Sequence, residues 1–374
     1  MTYRGSGSWR LQVLANPDPL TGECRRLSRT IRGTRTEARE ALQRMVVEAG
    51  AGLHGGGSLT VGDLLDQFMA SATLGPTTRA DWTSVANRHL KPVLGSLPLW
   101  QVTARDCDEL YGRMRESGLG PSRVRCAHVV LHRAFAQAVR WGWLPRNPVS
   151  AATRPPVPRA AIVPPAVETL RLALTTAEKA DPDLHCFLLV ALATGARRGE
   201  VCALRWDDVD CDAGLVRISR SVSETSSARV VVKCTKTDRS RAVSLTAGAI
   251  RALSERLVKA RCAAEEFGVD LPEVAFVFSV DEKGEAPWPP SLATRRWKRL
   301  RDEIGLGRVR LHDLRHFVAT ELLSAGVDAR TVSNRLGHAR TSTTFDIYWA
   351  WVPARDREAA DHLDRLFERP VGTG

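Results

Sequence analysis

The chain has 374 residues, enough for two or three domains, and its hydrophobic fraction of 43% and charged fraction of 26% are ordinary for a globular protein. No apolar run approaches the ~18 residues of a membrane span, and the N-terminus lacks the apolar core of a secretory signal, so we expect a cytoplasmic protein. The formal net charge of +12 favours a polyanionic partner. Nucleic acid is the first candidate and an acidic membrane surface the second, although a basic protein that merely stays soluble would carry the same charge.

Two segments have the composition of linkers. Residues 49–58 are rich in glycine, and residues 154–165 contain five prolines. They predict three domains, spanning residues 1–57, 58–153 and 154–374. The patterns within these parts predict a mainly α fold with small β-sheets, an α+β protein.

The first part predicts a small sheet and a helix. Trp9, Leu11 and Val13 alternate with polar residues, a second strand follows over 26–32, and helical spacing begins at Thr36, which we predict as the N-cap. This part could be a DNA-binding arm or a minor accessory hairpin.

The second part contains four helical patterns, which predict a small bundle. Thr60 and Thr103 each precede a helical pattern, and Pro76 and Pro121 each begin one. Basic residues recur on the faces expected to be exposed, although such a face is usually just solvated. They are Arg79, Arg88, Lys91, Arg123, Arg125, Arg133 and Arg140.

The third part begins with helical patterns and contains a strand-rich insert between residues 214 and 246, whose β-branched alternation predicts a short antiparallel sheet. Further helices are predicted at 247–267, 291–304, 312–325, 328–336, 342–350 and 354–368. The eight cysteines include no C-x2-C pair, so we expect reduced core residues and neither a metal site nor a disulfide framework.

Several residues of the third part could carry chemistry. In TGARRGE, Gly195 can end an apolar helix, which places Arg197 at the start of the next helix. At that position its guanidinium could bind a phosphate. In HDLRH, His312 and Arg315 are three residues apart and share a helix face. Taken alone, each of these pairs is more often an ordinary surface feature.

Three more candidates follow the same logic. Lys236 lies at the predicted turn between two strands, from which it could enter a cleft as a proton donor. Gly337 is a predicted helix C′ residue, His338 comes directly after it, and Tyr348 is ten residues further on. A tyrosine among apolar neighbours more often packs in a core than attacks a substrate.

Together these segments resemble the tyrosine recombinase family, also called the phage integrase family. TGARRGE with LRWDD resembles the family's arginine box, TKTDRSRAVSL its hairpin lysine box, HDLRH its H-x-x-R box, and LGHARTSTTFDIY its L-G-H box with the downstream tyrosine. The first two parts fit by size and order alone, as an arm-type and a core-binding DNA-binding domain.

The resemblance implies a mechanism. Tyr348 would attack the scissile phosphorus and form a 3′-phosphotyrosine. Arg197 and Arg315 would hold the non-bridging oxygens, and His312 would act as general base toward Tyr348 or share a hydrogen bond with the phosphate. His338 would add a hydrogen bond, Lys236 would protonate the leaving 5′-oxygen, and Glu200 would orient the arginines. No metal or other cofactor is implied, and the partners would be attachment-site DNA, a homotetramer on synapsed DNA, and an accessory bending or excision protein.

Two alternatives remain open at this stage. A type IB topoisomerase shares the chemistry, and a DNA-binding protein with the same fold could lack activity. The amphipathic segment 354–368 could dock on a neighbouring subunit, as in the family, or fold back on its own domain.

Overall fold

The computed structural model describes residues 1–5, 7–14, 26–50, 59–158, 163–225, 229–234 and 240–337. The chain divides into two compact units, with the boundary between Arg159 and Ala160. Within the described ranges, no helix combines the length and apolarity that a membrane crossing needs. The predicted mainly helical fold with small sheets is confirmed.

A three-stranded antiparallel sheet and one helix begin the first unit. The elements are β1 (Thr2–Gly5), β2 (Ser8–Leu14), β3 (Arg26–Arg32) and α1 (Arg35–Gly50). Leu11, Ala38 and Met45 form the centre of a small core between sheet and helix. The N-terminal cap is Thr34 and not Thr36, because the Thr34 hydroxyl accepts from the backbone N–H of Glu37 and the Glu37 carboxylate accepts from the backbone N–H of Thr34.

A helical bundle follows, with an apolar core of its own. Its helices are α2 (Val61–Ser71), α3 (Pro76–Val85), α4 (Lys91–Leu94), α5 (Ala104–Glu116) and α6 (Pro121–Arg140). Thr60 and Thr103 each form a capping box with an aspartate three residues later, as their positions in the sequence predict.

The helical pattern that begins at Pro76 contains a wider helical turn in its middle. A π-helical turn over Ala86–Leu90 joins α3 to α4, and the Lys91 N–H donates to Ala86 O. Pro92 follows immediately and has no N–H to continue an α-helical ladder, which is a physical reason for the wider turn at this place.

Arg79 was predicted to lie on an exposed face, but its guanidinium is half-buried and caps a helix. It donates to the carbonyl oxygens of Met69 and Ala72 at the C-terminal end of α2. Carbonyls at a helix C-terminus have no partner within the helix, so a cation is favourable there. Arg88, Arg133 and Arg140 are exposed as expected.

Helices dominate the second unit and surround the apolar helix α8, whose Phe187 and Leu188 are buried. The helices are α7 (Val167–Ala180), α8 (Pro182–Thr194), α9 (Arg198–Cys202), α10 (Ala247–Glu266), α11 (Pro290–Glu303), α12 (Leu311–Ser324) and α13 (Ala329–Leu336). The helices predicted at 342–350 and 354–368 lie outside the described residues.

The strand-rich insert forms two sheets where one was predicted. Its strands are β4 (Val209–Asp210), β5 (Leu215–Ile218), β6 (Arg220–Glu224), β7 (Val230–Cys234) and β8 (Arg241–Ser244). β4, β5 and β8 form one antiparallel sheet, and β6 pairs with β7 in a separate hairpin. Residue 219 alone separates β5 from β6, so the predicted strand GLVRISR is split between the sheets. Alternation identifies strands, but it does not identify their partners.

Candidate active site

Two helix C-termini meet at the candidate site. α8 ends at Gly195 (φ 62°) and α13 ends at Gly337 (φ 68°), both in the left-handed conformation that favours glycine. A Cβ on Gly195 would overlap the side chain of Leu336 and lie 3.3 Å from Val318 Cγ1. The turn after α8 is therefore packed directly against the end of α13.

Arg315 joins these two turns from α12. Its side chain is buried, and its Nη1 donates to Gly195 O at 2.8 Å and to Leu336 O at 2.6 Å. The acceptors are terminal carbonyls of α8 and α13, where the helix dipole is negative. The guanidinium is thus held between two helix ends, with its orientation fixed by both.

Arg197 occupies the N-cap position of α9, as the glycine-based prediction required. Its Nη1 lies 2.8 Å from Glu200 Oε1, its Nη2 donates to Gly337 O at 3.3 Å, and nearly half of its side chain is exposed. The predicted residues Arg197 and Arg315 are therefore brought to the same helix end. Arg197 faces the outside of the cluster, where it can take a further acceptor.

Glu200 is the buried anion of the cluster. Its Oε2 accepts from the Arg197 backbone N–H at 3.0 Å and from Arg241 Nη2 at 2.7 Å. Burial raises the pKa of Glu200, but the hydrogen bond and charge of Arg241 and those of Arg197 lower this pKa by more. The carboxylate therefore stays ionised and holds two guanidinium groups in place.

His312 lies at the first turn of α12, one turn before Arg315, and is exposed. Partial loss of hydration lowers its pKa, and so do the positive charges of Arg315, Arg310 and Arg197, while Asp313 acts in the opposite direction. A lowered pKa keeps the imidazole neutral near pH 7, which is the state that can accept a proton.

A second histidine packs beneath the first. The rings of His316 and His312 lie 4.8 Å apart in a T-shaped arrangement. Burial is the main cause that lowers the pKa of His316 to about 4, and the charge of His312 adds to it. His316 is therefore a neutral support for the exposed ring.

The other three predicted site residues, Lys236, His338 and Tyr348, lie outside the described residues. Residue 338 directly follows Gly337, whose carbonyl accepts from Arg197. The described part of the L-G-H segment, Leu336 and Gly337, therefore lies at the arginine cluster.

Sequence reasoning missed two further arginines of the cluster. Arg241 Nε donates to Arg335 O at 2.8 Å, and Arg335 Nη2 donates to Ala193 O at 2.6 Å and Ser244 O at 2.9 Å. Arg241 lies inside the segment TKTDRSRAVSL that was quoted for the resemblance, and Arg335 directly precedes the segment LGHARTSTTFDIY. Their only signal was an arginine beside a candidate residue, and arginine is common throughout this chain.

The arrangement is suited to a bound phosphate. Guanidinium groups bind phosphate through paired N–H donors, and a neutral imidazole beside them can take up a proton. In the part of the chain that the structure describes, no group of three or more histidine, cysteine, aspartate and glutamate residues could hold a metal ion.

Comparison with known proteins agrees with these features. The sequence pattern of the phage integrase family matches residues 166–354. The ICEBs1 integrase of Bacillus subtilis (strain 168) is 27% identical over 367 residues, which are 96% of this chain and 98% of that protein.

Solved structures show the same fold. The Tn1549 transposon integrase in complex with transposon right end DNA aligns with a TM-score of 0.69 at 20% identity, over 83% of this chain and all of that chain. A lambda integrase tetramer bound to a Holliday junction aligns with a TM-score of 0.57 at 20% identity, over 87% of this chain and 90% of that one.

Proposed function

The chain belongs to the phage integrase family, and on that premise we propose that Tyr348 is the nucleophile of its strand-cleavage site. The protein is a site-specific tyrosine recombinase, an enzyme that cleaves and rejoins DNA strands. One observation carries the assignment of the site more than any other. Arg315 and Arg197 both donate to the last carbonyls of α13, immediately before His338.

Arg197 and Arg315 would bind the two non-bridging oxygens of the scissile phosphate. Charge accumulates on these oxygens in the pentavalent transition state, and pre-oriented donors stabilise it without reorganising. The buried position of Arg315 between Gly195 O and Leu336 O supports this role, and so does the hydrogen bond that Arg197 Nη1 donates to Glu200. Glu200 would orient the arginines and not react, because a carboxylate against the phosphate would repel it.

In the cleavage step, the Tyr348 Oη forms a bond to phosphorus while the bond from phosphorus to the 5′-oxygen breaks. His312 would take the phenol proton, and its lowered pKa supports this role. Lys236 would give a proton to the leaving 5′-oxygen, and His338 would donate a hydrogen bond to the phosphate.

The products of this step are a 3′-phosphotyrosine and a 5′-hydroxyl. Attack by the 5′-hydroxyl of another strand reverses it, so the bond energy is conserved without ATP. We assign no cofactor or metal to any of these roles.

DNA would be bound over the whole chain. We propose that residues 1–57 form an arm-type DNA-binding domain, 58–153 a core-binding domain and 154–374 the catalytic domain. The net charge of +12 supports a polyanionic ligand, and exposed arginines on the N-terminal sheet support the arm. These are Arg4, Arg26, Arg29 and Arg32.

The working assembly would be a homotetramer on synapsed DNA, since a lambda integrase with this fold was solved as a tetramer on a Holliday junction. An accessory bending or excision protein would set the direction of recombination, and the amphipathic segment 354–368 would dock on a neighbouring subunit. The relatives come from mobile elements and prophages, so the substrate would be the attachment sites of such an element, in the cytoplasm of its host.

Covalent trapping tests the proposal. The protein is incubated with a pool of nicked duplexes of randomised sequence, in which cleavage near the nick releases a short fragment and prevents religation. Adducts that survive denaturation are sequenced, and mass spectrometry of the protein locates the modified residue. We expect adducts at Tyr348 that contain one recurrent DNA sequence, and no adduct with Tyr348→Phe. Both proteins should bind the selected duplex equally well.

The same experiment separates the alternatives. Adducts without sequence preference, together with relaxation of any supercoiled plasmid, would indicate a topoisomerase. Binding of DNA with no adduct under any condition would indicate an inactive DNA-binding protein, and an adduct on a residue other than Tyr348 would overturn the site.

A further inference from the structure

The C-terminal turn of α13 is capped by three arginines from three different parts of the chain. The last carbonyl oxygens of a helix accept no hydrogen bond from within the helix, and they lie at the negative end of the helix dipole. Each of three successive oxygens accepts from a different guanidinium. These bonds are Arg241 Nε to Arg335 O (2.8 Å), Arg315 Nη1 to Leu336 O (2.6 Å) and Arg197 Nη2 to Gly337 O (3.3 Å).

Of these three, Arg241 has no role in the mechanism above. It lies on β8, and its Nη2 donates to Glu200 Oε2 at 2.7 Å while its Nε donates to Arg335 O. Glu200 in turn binds Arg197 through its other oxygen. One guanidinium thus connects the carboxylate that holds Arg197 to the turn that leads to His338.

Arg241 also contacts the turn itself. A Cβ on Gly337 would lie 2.6 Å from Arg241 Nη1 and 2.9 Å from its Cζ, so the guanidinium lies flat against the backbone at this glycine. Real Cβ atoms do not approach other atoms so closely, and the left-handed conformation of Gly337 already disfavours a side chain. The glycine and the arginine are therefore matched in shape.

We propose that Arg241 is a positioning residue for strand cleavage, which fixes Arg197, through Glu200, to the α13 turn that precedes His338. The inference rests on the proposed function. Direct contact with the phosphate is disfavoured, because only 11% of the Arg241 side chain is exposed and its Nε and Nη2 are engaged by protein acceptors. Without Arg241, Glu200 would keep Arg197 as its one ion-pair partner among those described, and the turn would lose the donor at Arg335 O.

Single-turnover cleavage tests the proposal, with the suicide duplex selected by covalent trapping as the probe. We expect Arg241→Gln to slow adduct formation about 10- to 100-fold, the usual loss when a group that orients a functional residue is removed. Affinity for the uncleaved duplex should stay within about threefold, because Arg241 does not touch it. Arg241→Lys keeps the charge but not the forked donor geometry, and should recover part of the rate.

The matched control is Arg217→Gln on the neighbouring strand β5. Arg217 is also paired with a buried carboxylate, since its Nε lies 3.6 Å from Asp208 Oδ1, and its Nη2 donates to Asp207 O, so both of these side-chain partners lie outside the arginine cluster. We expect the wild-type cleavage rate from this variant.

The pH profile separates positioning from a general loss of structure. Glu200 faces Arg197 on its own segment and Arg241 on β8, and the Arg241 hydrogen bond is the largest cause that lowers the Glu200 pKa. Arg241→Gln should therefore raise this pKa, so that the step of the rate profile due to protonation of Glu200, separate from the step due to the proposed base His312, moves to higher pH. A merely destabilised protein would lose active fraction at every pH without such a shift.

The outcomes are distinct. If Arg241→Gln forms adducts at the wild-type rate, the inference alone is overturned. A loss of cleavage rate that only parallels a lower melting temperature or a weaker DNA affinity would overturn it too. No adduct from the wild-type protein would overturn the proposed function and the inference with it.

Discussion

The C-terminal ends of α5 and α6 in the bundle and those of α8 and α13 in the second unit share a left-handed glycine and differ in their surroundings. α5 and α6 end next to Gly118 (φ 81°) and Gly142 (φ 75°), where an added Cβ would meet nothing within 4 Å. Gly195 and Gly337 have nearly the same backbone conformation, but an added Cβ would strike Leu336 or Arg241. A left-handed glycine therefore marks the helix end in all four cases, and at α8 and α13 alone among these four it belongs to the candidate site.

The carbonyl groups at these ends make the same point. After α6, Trp143 N–H donates to Ala138 O and Gly142 N–H donates to Val139 O, so the chain closes its own helix. In the second unit, guanidinium groups from elements distant in the sequence reach the terminal carbonyls of α8 and α13. Such ends bring cations together, which is the property that a phosphate-binding site needs.

Arg315→Lys should produce the largest effect on this comparison. A lysine ammonium cannot reach Gly195 O, Leu336 O and a phosphate oxygen with the fixed geometry of a guanidinium, so we expect cleavage of the suicide duplex to slow about 10²- to 10³-fold. Single-turnover kinetics would measure it.

Arg105→Lys in α5 is the control for this change. Arg105 forms an exposed ion pair with Glu109 at 2.8 Å, of the kind that contributes little, and the variant should cleave at the wild-type rate. A loss of similar size in both variants would show that the capped helix ends have no special role.

Gly195→Ala and Gly142→Ala compare the two kinds of turn directly. Both carry the cost of a left-handed alanine, about 1–2 kcal/mol. Gly195→Ala also forces a methyl group against Leu336 and Val318, so its total cost should be about 2–5 kcal/mol. Scanning calorimetry would measure both, and equal shifts in melting temperature would contradict the packing of the two helix ends.

The smallest effect concerns pH. Burial lowers the pKa of His316 to about 4, against a value near 6.5 in an unfolded chain. Between these values the unfolded chain binds a proton that the folded chain does not, so the stability present above pH ~6.5 declines as the pH falls towards about 4. His316→Gln should flatten this part of the stability curve, as chemical denaturation at several pH values would reveal. Parallel curves for the two proteins would count against a buried neutral imidazole.

The sequence itself determined the local parts of this protein. Capping residues at Thr60 and Thr103, helix-ending Gly195 and Gly337, and the N-cap position of Arg197 follow from the geometry of a few consecutive residues, which any fold must respect. The resemblance to the recombinase family could also be stated from the sequence, because its motifs are short and ordered.

Errors arose where a local signal had more than one tertiary outcome. The strand-rich insert was expected to form one sheet and forms two, and the cap of α1 is Thr34 where Thr36 was predicted. Arg79 was placed on a solvated face and caps α2 instead. In each case the residue type was suitable for both arrangements.

Only the tertiary structure decided which arginines share a helix end. Arg197, Arg241 and Arg315 are separated by tens of residues along the chain, and their spacing gives no indication that all three donate to successive carbonyls of α13. Pairing between distant groups depends on how α8, α12, α13 and β8 pack, and that packing is a property of the whole buried core. The sequence supplied the guanidinium groups, and the fold supplied their common acceptor.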